Sequence, residues 1–142
     1  MLLIFLLFVS SCGITGNVEI EELQEIKLKT LKGSNAVVEV NILANNSSSH
    51  NIYIKKADIE ILRDGYSFGT ASLRQRAVIK KRAIKQQVTV LFDVKITDKM
   101  AIMSGRIRAI LAGDDRTRLS FSGRIRAGTK TFSKSIPLNI EN

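Results

Sequence analysis

The sequence predicts an all-β domain: an antiparallel Greek-key β-sandwich of about seven strands, of the immunoglobulin or fibronectin III kind, with one short helix near residues 98–104. Three observations carry this expectation. Apolar residues recur with a period of two in most segments. Turn signals built on Gly, Asn and Asp separate those segments at short intervals. Only Asp98 to Ser104 has a helix start and stop, with Asp98 as N-cap and Gly105 as terminator.

The elements follow in order. The first strand runs from Val18 and Ile20 to Leu23 and then to Ile26 and Leu28, so its apolar set changes phase twice. Its acids Glu19, Glu21, Glu22 and Glu25 suit a charged linker and an edge strand. Gly33-Ser34-Asn35 is a short turn with no following helix or lysine, so it is not a phosphate loop. Val38, Val40, Ile42 and Ala44 alternate with Glu39, Asn41 and Leu43, as in a half-buried strand. Asn45-Asn46 and Ser47 to His50 then read as a turn. From Ile52 to Leu62 the inward set moves from Ile52 and Ile54 to Ala57, Ile59 and Ile61, and a bulge at Lys55-Lys56 accounts for the slip.

Asp64-Gly65 is the next turn, and the basic tract Arg74 to Lys85 reads as a loop or an edge. Val88, Val90, Phe92, Val94 and Ile96 form a further alternating strand. After the helix, Ile107, Ala109 and Leu111 alternate with Arg106 and Arg108, which predicts a strand. Gly113-Asp114-Asp115 is its turn, and Leu119, Phe121, Ile125 and Ala127 lead the return strand. Phe132, Ile136, Leu138 and Ile140 close the chain, and Pro137, the one proline, fits a terminal edge strand.

From about Val18 to Ile96 this order resembles the late embryogenesis abundant type 2 family, also called the water stress and hypersensitive response domain. The matching features are the aliphatic strand Val37 to Ala44, the turn Asn45-Asn46, Ile52-Tyr53-Ile54 with Ile59 and Ile61, Asp64-Gly65, and the step Gly69-Thr70-Ala71. Asn46 stands where the family usually has proline, and Ser47 to His50 lengthens that turn. The resemblance implies a seven-stranded sandwich with one helix and no enzymatic site, of a kind often carried by small envelope lipoproteins in bacteria.

The N-terminus gives an address. Met1 to Phe8 is an apolar run of about 12 Å as a helix, far short of the ~20 residues that span a bilayer, so it reads as an export signal. Val9, Ser10, Ser11 and Cys12 follow, and they resemble the lipobox of bacterial lipoproteins. The resemblance implies that Cys12, the one cysteine of the chain, becomes a lipidated mature N-terminus. Residues 1–11 are then a leader, 12–17 a lipidated cysteine and tether, and 18–142 the domain. Gly13 to Asn17 span ~17 Å at full stretch. With no Asp after Cys12, the expectation is the outer membrane, facing the periplasm. The leader carries no Lys or Arg.

Catalytic chemistry is not expected. His50 is the sole histidine and lies among Ser and Asn, so triads and zinc sites built on several His or Cys are excluded. Asp114-Asp115 beside Gly113 reads as a turn rather than a metal site. No metal and no cofactor beyond the lipid on Cys12 are expected. Charge is the remaining signal: the net +9 lies entirely after Leu73, where sixteen basic residues face five acidic ones. The hairpin expected over 106–126 puts Arg106, Arg108, Arg116, Arg118, Arg124 and Arg126 on one side. Arg74, Arg76, Lys80, Lys81, Arg82 and Lys85 add to the basic set. One reading is a solvated face that guards sheet edges. The other is an anion-binding surface for a lipid, a glycolipid or an acidic envelope protein. Nucleic acid is excluded as a partner because the chain is exported and shows no stacking platform. Two functions follow: a membrane-anchored, non-catalytic binding or structural module, stress-protective in kind, or a carrier or sensor for an anionic lipid.

Overall fold

The computed structural model describes residues 18–112 and 118–141. It contains β1 (Val18–Lys32), β2 (Asn35–Asn46), β3 (Ile52–Arg63), β4 (Tyr66–Leu73), β5 (Ala77–Ile79), β6 (Gln86–Ile96), α1 (Lys99–Ser104), α2 (Ile107–Ala112), β7 (Leu119–Gly128) and β8 (Ser133–Glu141). All strand pairs are antiparallel, in the order β1-β2-β6-β4-β3-β7-β8, with β5 beside β3. The run β2-β6-β4-β3 is a Greek key: β2 passes by one connection to β3 yet lies beside β6.

The two leaves are one continuous curled sheet joined through β4. This strand pairs with β3 along one edge and with β6 along the other. Between the leaves, Ala36 and Val38 of β2 and Val94 and Ile96 of β6 meet Ala57, Ile59 and Ile61 of β3. A second cluster joins Ala44, Ile52, Ala77, Ile79, Val88 and Val90. Phe68, Ile52, Ile79, Ile96 and Ile110 are the largest apolar side chains fully shut off from solvent.

Irregularities fall where the apolar pattern changes phase. The β3–β7 ladder slips between Ile54 and Lys56, leaving Lys55 as the bulged residue. β1 slips between Ile20 and Glu22, between Leu23 and Glu25, and again between Leu28 and Thr30. In β4 an extra residue between Ser67 and Gly69 is Phe68, and the bulge sends this ring into the core. Asp64 and Gly65 close the β3–β4 hairpin with φ of 50° and 87°, as a two-residue turn with both central residues left-handed requires. Gly69 and Gly123 lie where strands approach closely. A Cβ on Gly123 would stand 2.0 Å from the Asp58 carbonyl oxygen.

Three expectations are corrected. Residues 107–112 are helix rather than strand: Ile107 and Ile110 turn inward at helical spacing, 4% and 2% exposed, while Arg106 and Arg108 stay outside. Among the described residues there are thus two short helices, and α2 lies against β1. The tract 74–85 is loop and edge as expected, with the three-residue β5 paired only to β3. Phe132 precedes β8 and is 58% exposed. Asn46 is not a turn residue but the buried end of β2. The α1 expectation holds: Asp98 caps the N–H groups of Met100 and Ala101, and Gly105 ends the helix with φ 70°.

Candidate functional site

One end of the sandwich gathers three loops. β2 ends at Asn46, β3 begins at Ile52 opposite Ile79, β6 begins opposite Ala44, and β7 ends at Gly128 opposite Tyr53. Loops 47–51, 80–85 and 129–132 therefore share that end. The chain enters there too, because Val18 pairs with Asn46. The turn Asp64-Gly65 and the two helices lie at the opposite end.

Asn46 organises the loops. Its Nδ2 donates to the carbonyl oxygens of His50 (2.9 Å), Lys80 (3.1 Å) and Ile79 (3.2 Å). Its Oδ1 accepts from the Ser48 N–H at 3.0 Å and the Ser48 hydroxyl at 2.8 Å. One side chain thus ties loop 47–51 to the end of β5.

The 80–85 loop is held just as closely. The N–H groups of Lys80, Lys81 and Lys85 donate to the side-chain oxygens of Gln86, Asn51 and Asn45. The Arg82 N–H donates to the Ser48 carbonyl, the Ala83 N–H to the Lys80 carbonyl, and the Asn46 N–H to the Ala83 carbonyl. Arg82 and Lys85 are left-handed, with φ of 57° and 51°. Such backbone costs about 1 kcal/mol or more per non-glycine residue, and it persists where the surroundings over-determine it. Between these two residues Ile84 stands 82% exposed.

An open groove of about 590 Å³ runs between the loops, and its lining includes Ser48, His50, Lys81, Thr129, Lys130 and Thr131. Lys80, Lys81, Arg82 and Lys130 have no carboxylate partner among the described residues. Lys85 pairs with Glu21 at 2.6 Å. The hydrogen bond from Lys85, together with one from Asn45, holds the Glu21 carboxyl below its ordinary pKa, and the same contact pushes Lys85 up.

The other basic candidates disperse. Arg74 pairs with Asp93 at 2.6 Å partway down the wall, and Arg76 is exposed beside β5. Arg124 and Arg126 share an outer face of β7, opposite Asp58 and Lys56, so a single acid stands among three cations there. Arg118 lies at the far end, bonded through its backbone to Asp64. Arg106 and Arg108 flank and begin α2, so the face of six arginines expected from a 106–126 hairpin does not form. Arg116, Asp114, Asp115, the lipobox Val9-Ser10-Ser11 and Cys12 lie outside the described residues.

Sequence reasoning placed Lys80, Lys81, Arg82 and Lys85 in the basic set but missed Asn46, Ile84, Phe132 and Lys130. An apolar residue set inside Lys80-Lys81-Arg82-Ala83-Ile84-Lys85 was the available signal. Among the described residues no helix is long and apolar enough to cross a membrane.

No family model matches the chain, and no curated protein does. Among solved structures, a protein from Archaeoglobus fulgidus is similar with a TM-score of 0.56 at 10% identity, covering 85% of this chain and 94% of that one. A yeast GGA1 GAE domain aligns over 89% of this chain and 91% of its own at 13% identity, with a TM-score of 0.36. At these identities the archaeal likeness concerns the fold alone, and it agrees with an all-β, sandwich-like architecture.

Proposed function

We propose that this chain is a lipid-anchored envelope module: a non-catalytic β-sandwich, tethered through Cys12, that binds or protects components of the membrane on which it sits. The lipobox-like Val9-Ser10-Ser11-Cys12 supplies the anchor. The resemblance to the late embryogenesis abundant type 2 family supplies the stress-protective reading and the expectation of no enzymatic site. The observation that carries the proposal is the convergence of Val18, where the tether would end, with the basic loop end of the sandwich. A domain held at that end within ~20 Å of a bilayer presents those loops to it.

The alternative, a carrier enclosing a lipid, requires room between the leaves. Phe68, Ile52, Ile79, Ile96 and Ile110 occupy that space, which favours the module. The test is Cys12→Ala in the full chain, expressed with a metabolic acyl label. Lipid labelling and membrane fractionation should both be lost, because two acyl chains are what make anchoring stable. Unchanged fractionation would remove the lipoprotein reading.

A further inference from the structure

We propose that the loop end docks on an anionic phospholipid bilayer, with Ile84 and Phe132 entering the interface and Lys80, Lys81, Arg82 and Lys130 meeting the headgroups. The inference takes its setting from the tethered module proposed above and adds to it a face, an orientation and a ligand chemistry.

Three observations converge on this surface. The first is apolar exposure on two loops of this end: Ile84 is 82% exposed in loop 80–85, and Phe132, where loop 129–132 enters β8, is 58% exposed. Large apolar side chains on a fixed loop surrounded by cations are the composition of an interfacial anchor, with an apolar part for the acyl boundary and a basic part for the headgroups.

The second is preorganisation. The backbone around Ile84 is fixed by the Asn46, Ser48 and Asn51 hydrogen bonds and carries two left-handed residues, so Ile84 is held outward by a rigid scaffold. A side chain presented this way loses little freedom on binding.

The third is charge. Loops 47–51, 80–85 and 129–132 contain five cations and no acid. Carboxylates of β1 border this end: Glu21 is paired with Lys85 and accepts from Asn45, while Glu19 accepts only from the neutral Asn45 amide. Glu22, opposite Leu43, acts on Lys85 as well, and with Glu21 it holds that lysine charged. The groove between the loops offers Ser48, Thr129 and Thr131 hydroxyls with Lys81 and Lys130, donors suited to a phosphate oxygen. A bilayer satisfies the cations, the hydroxyls and the two apolar tips together. A soluble anion leaves Ile84 and Phe132 in water.

The experiment uses the full chain carrying Cys12→Ala, which has no other cysteine. Ile84→Cys, Phe132→Cys and Met103→Cys are introduced one at a time and labelled with an environment-sensitive fluorophore. Met103, 81% exposed on α1 at the opposite end, reports any contact through the wrong face. With vesicles of phosphatidylglycerol and phosphatidylcholine, the probes at 84 and 132 should shift to the blue and the probe at 103 should not. The shift should vanish in ~1 M salt, where the Debye length falls to about 3 Å. Replacing Lys80, Lys81 and Arg82 by Gln should weaken vesicle binding by about fivefold per residue.

A shift at 103 equal to that at 84 and 132, an equal response to pure phosphatidylcholine, or no shift at either tip overturns the docking proposal. Circular dichroism of each labelled protein verifies that the fold is intact. Acyl labelling of Cys12 is read separately in cells. Labelled Cys12 with silent tips removes the docking and leaves the anchor, whereas responsive tips with unlabelled Cys12 do the reverse.

Discussion

Asn46 offers the sharpest test of how the loop end is built. Replacing it by Ala deletes an amide that donates to three carbonyl oxygens and accepts from Ser48 twice, at a site with 0% exposure. Each such bond is worth ~1 kcal/mol net, and buried partners left unpaired add ~1–3 kcal/mol apiece. Because some of these groups sit near solvent, the expected total is about 3 kcal/mol. With an m-value of ~2 kcal/mol/M, the urea midpoint falls by about 1.5 M at unchanged slope.

Asn46→Asp adds a signature. A carboxylate there faces the His50, Ile79 and Lys80 carbonyl oxygens, so its ionised form is disfavoured and its folded pKa is raised. Its penalty is fully present above that raised pKa and is relieved as pH falls through it toward the ordinary carboxyl range. Asn46→Asp should therefore be less stable than Asn46→Ala at pH ~8 and recover on mild acidification. Urea unfolding followed by circular dichroism, across pH, measures both. A loss under ~0.5 kcal/mol for Asn46→Ala, which is the range of ordinary surface substitutions, would refute the role of the amide. A pH-independent Asp variant would refute the carbonyl-facing geometry.

Two further outcomes are expected. Asp98 is pulled two ways: partial burial raises its pKa, but the Ala101 N–H, the Arg63 guanidinium and the Met100 N–H together hold it below the ordinary value. Its stabilisation is complete above the ordinary carboxyl range and is lost as pH falls through the depressed folded pKa, so Asp98→Ala should cost about 2 kcal/mol near neutrality and less below pH ~4. Acid titration of the unfolding free energy of both proteins measures this, and parallel curves would contradict it. Gly123→Ala drives a methyl into the Asp58 carbonyl, and the strands must part, so thermal unfolding should reveal a loss of about 2 kcal/mol or more.

Much of the sheet was legible because period-two patterning is unforgiving: a strand that must keep one face inward cannot change phase without a bulge. The slip at Lys55-Lys56 and the two early slips in the first strand were therefore readable as arithmetic. Asp98 and Gly105 were readable because their capping chemistry is local. Residues 107–112 were not, since Ile107, Ala109 and Leu111 satisfy a strand while Ile107, Ile110 and Leu111 satisfy a helix, and six residues cannot separate the two periods. The core behind Ile107 and Ile110 makes the choice, and it is non-local. Asn46 was hidden for a related reason: beside Asn45 and three serines it has the composition of a turn, and only the arrival of β5 turns it inward. The loop end was half visible. Its cations stood out, but Ile84 and Phe132 come from segments nearly fifty residues apart, and their loops reach one end only because β3 pairs with both β5 and β7.

The position of β1 has a mechanical consequence. This fifteen-residue strand lies at the sheet edge and is paired only with β2, and the load from a tether at Val18 would arrive where the two strands part. Pulled there, an antiparallel edge strand opens like a zipper, one rung at a time, whereas a sheared pair must break many rungs together. Val18 and Ile20, packed against one core cluster, resist the first rungs, and Leu28 and Leu31, packed against the other, resist the last. Full release would pay out about 50 Å of chain at ~3.4 Å per residue. The Greek key β2-β6-β4-β3 does not depend on pairing with β1, so under the proposed tether β1 would lengthen before that key is disturbed.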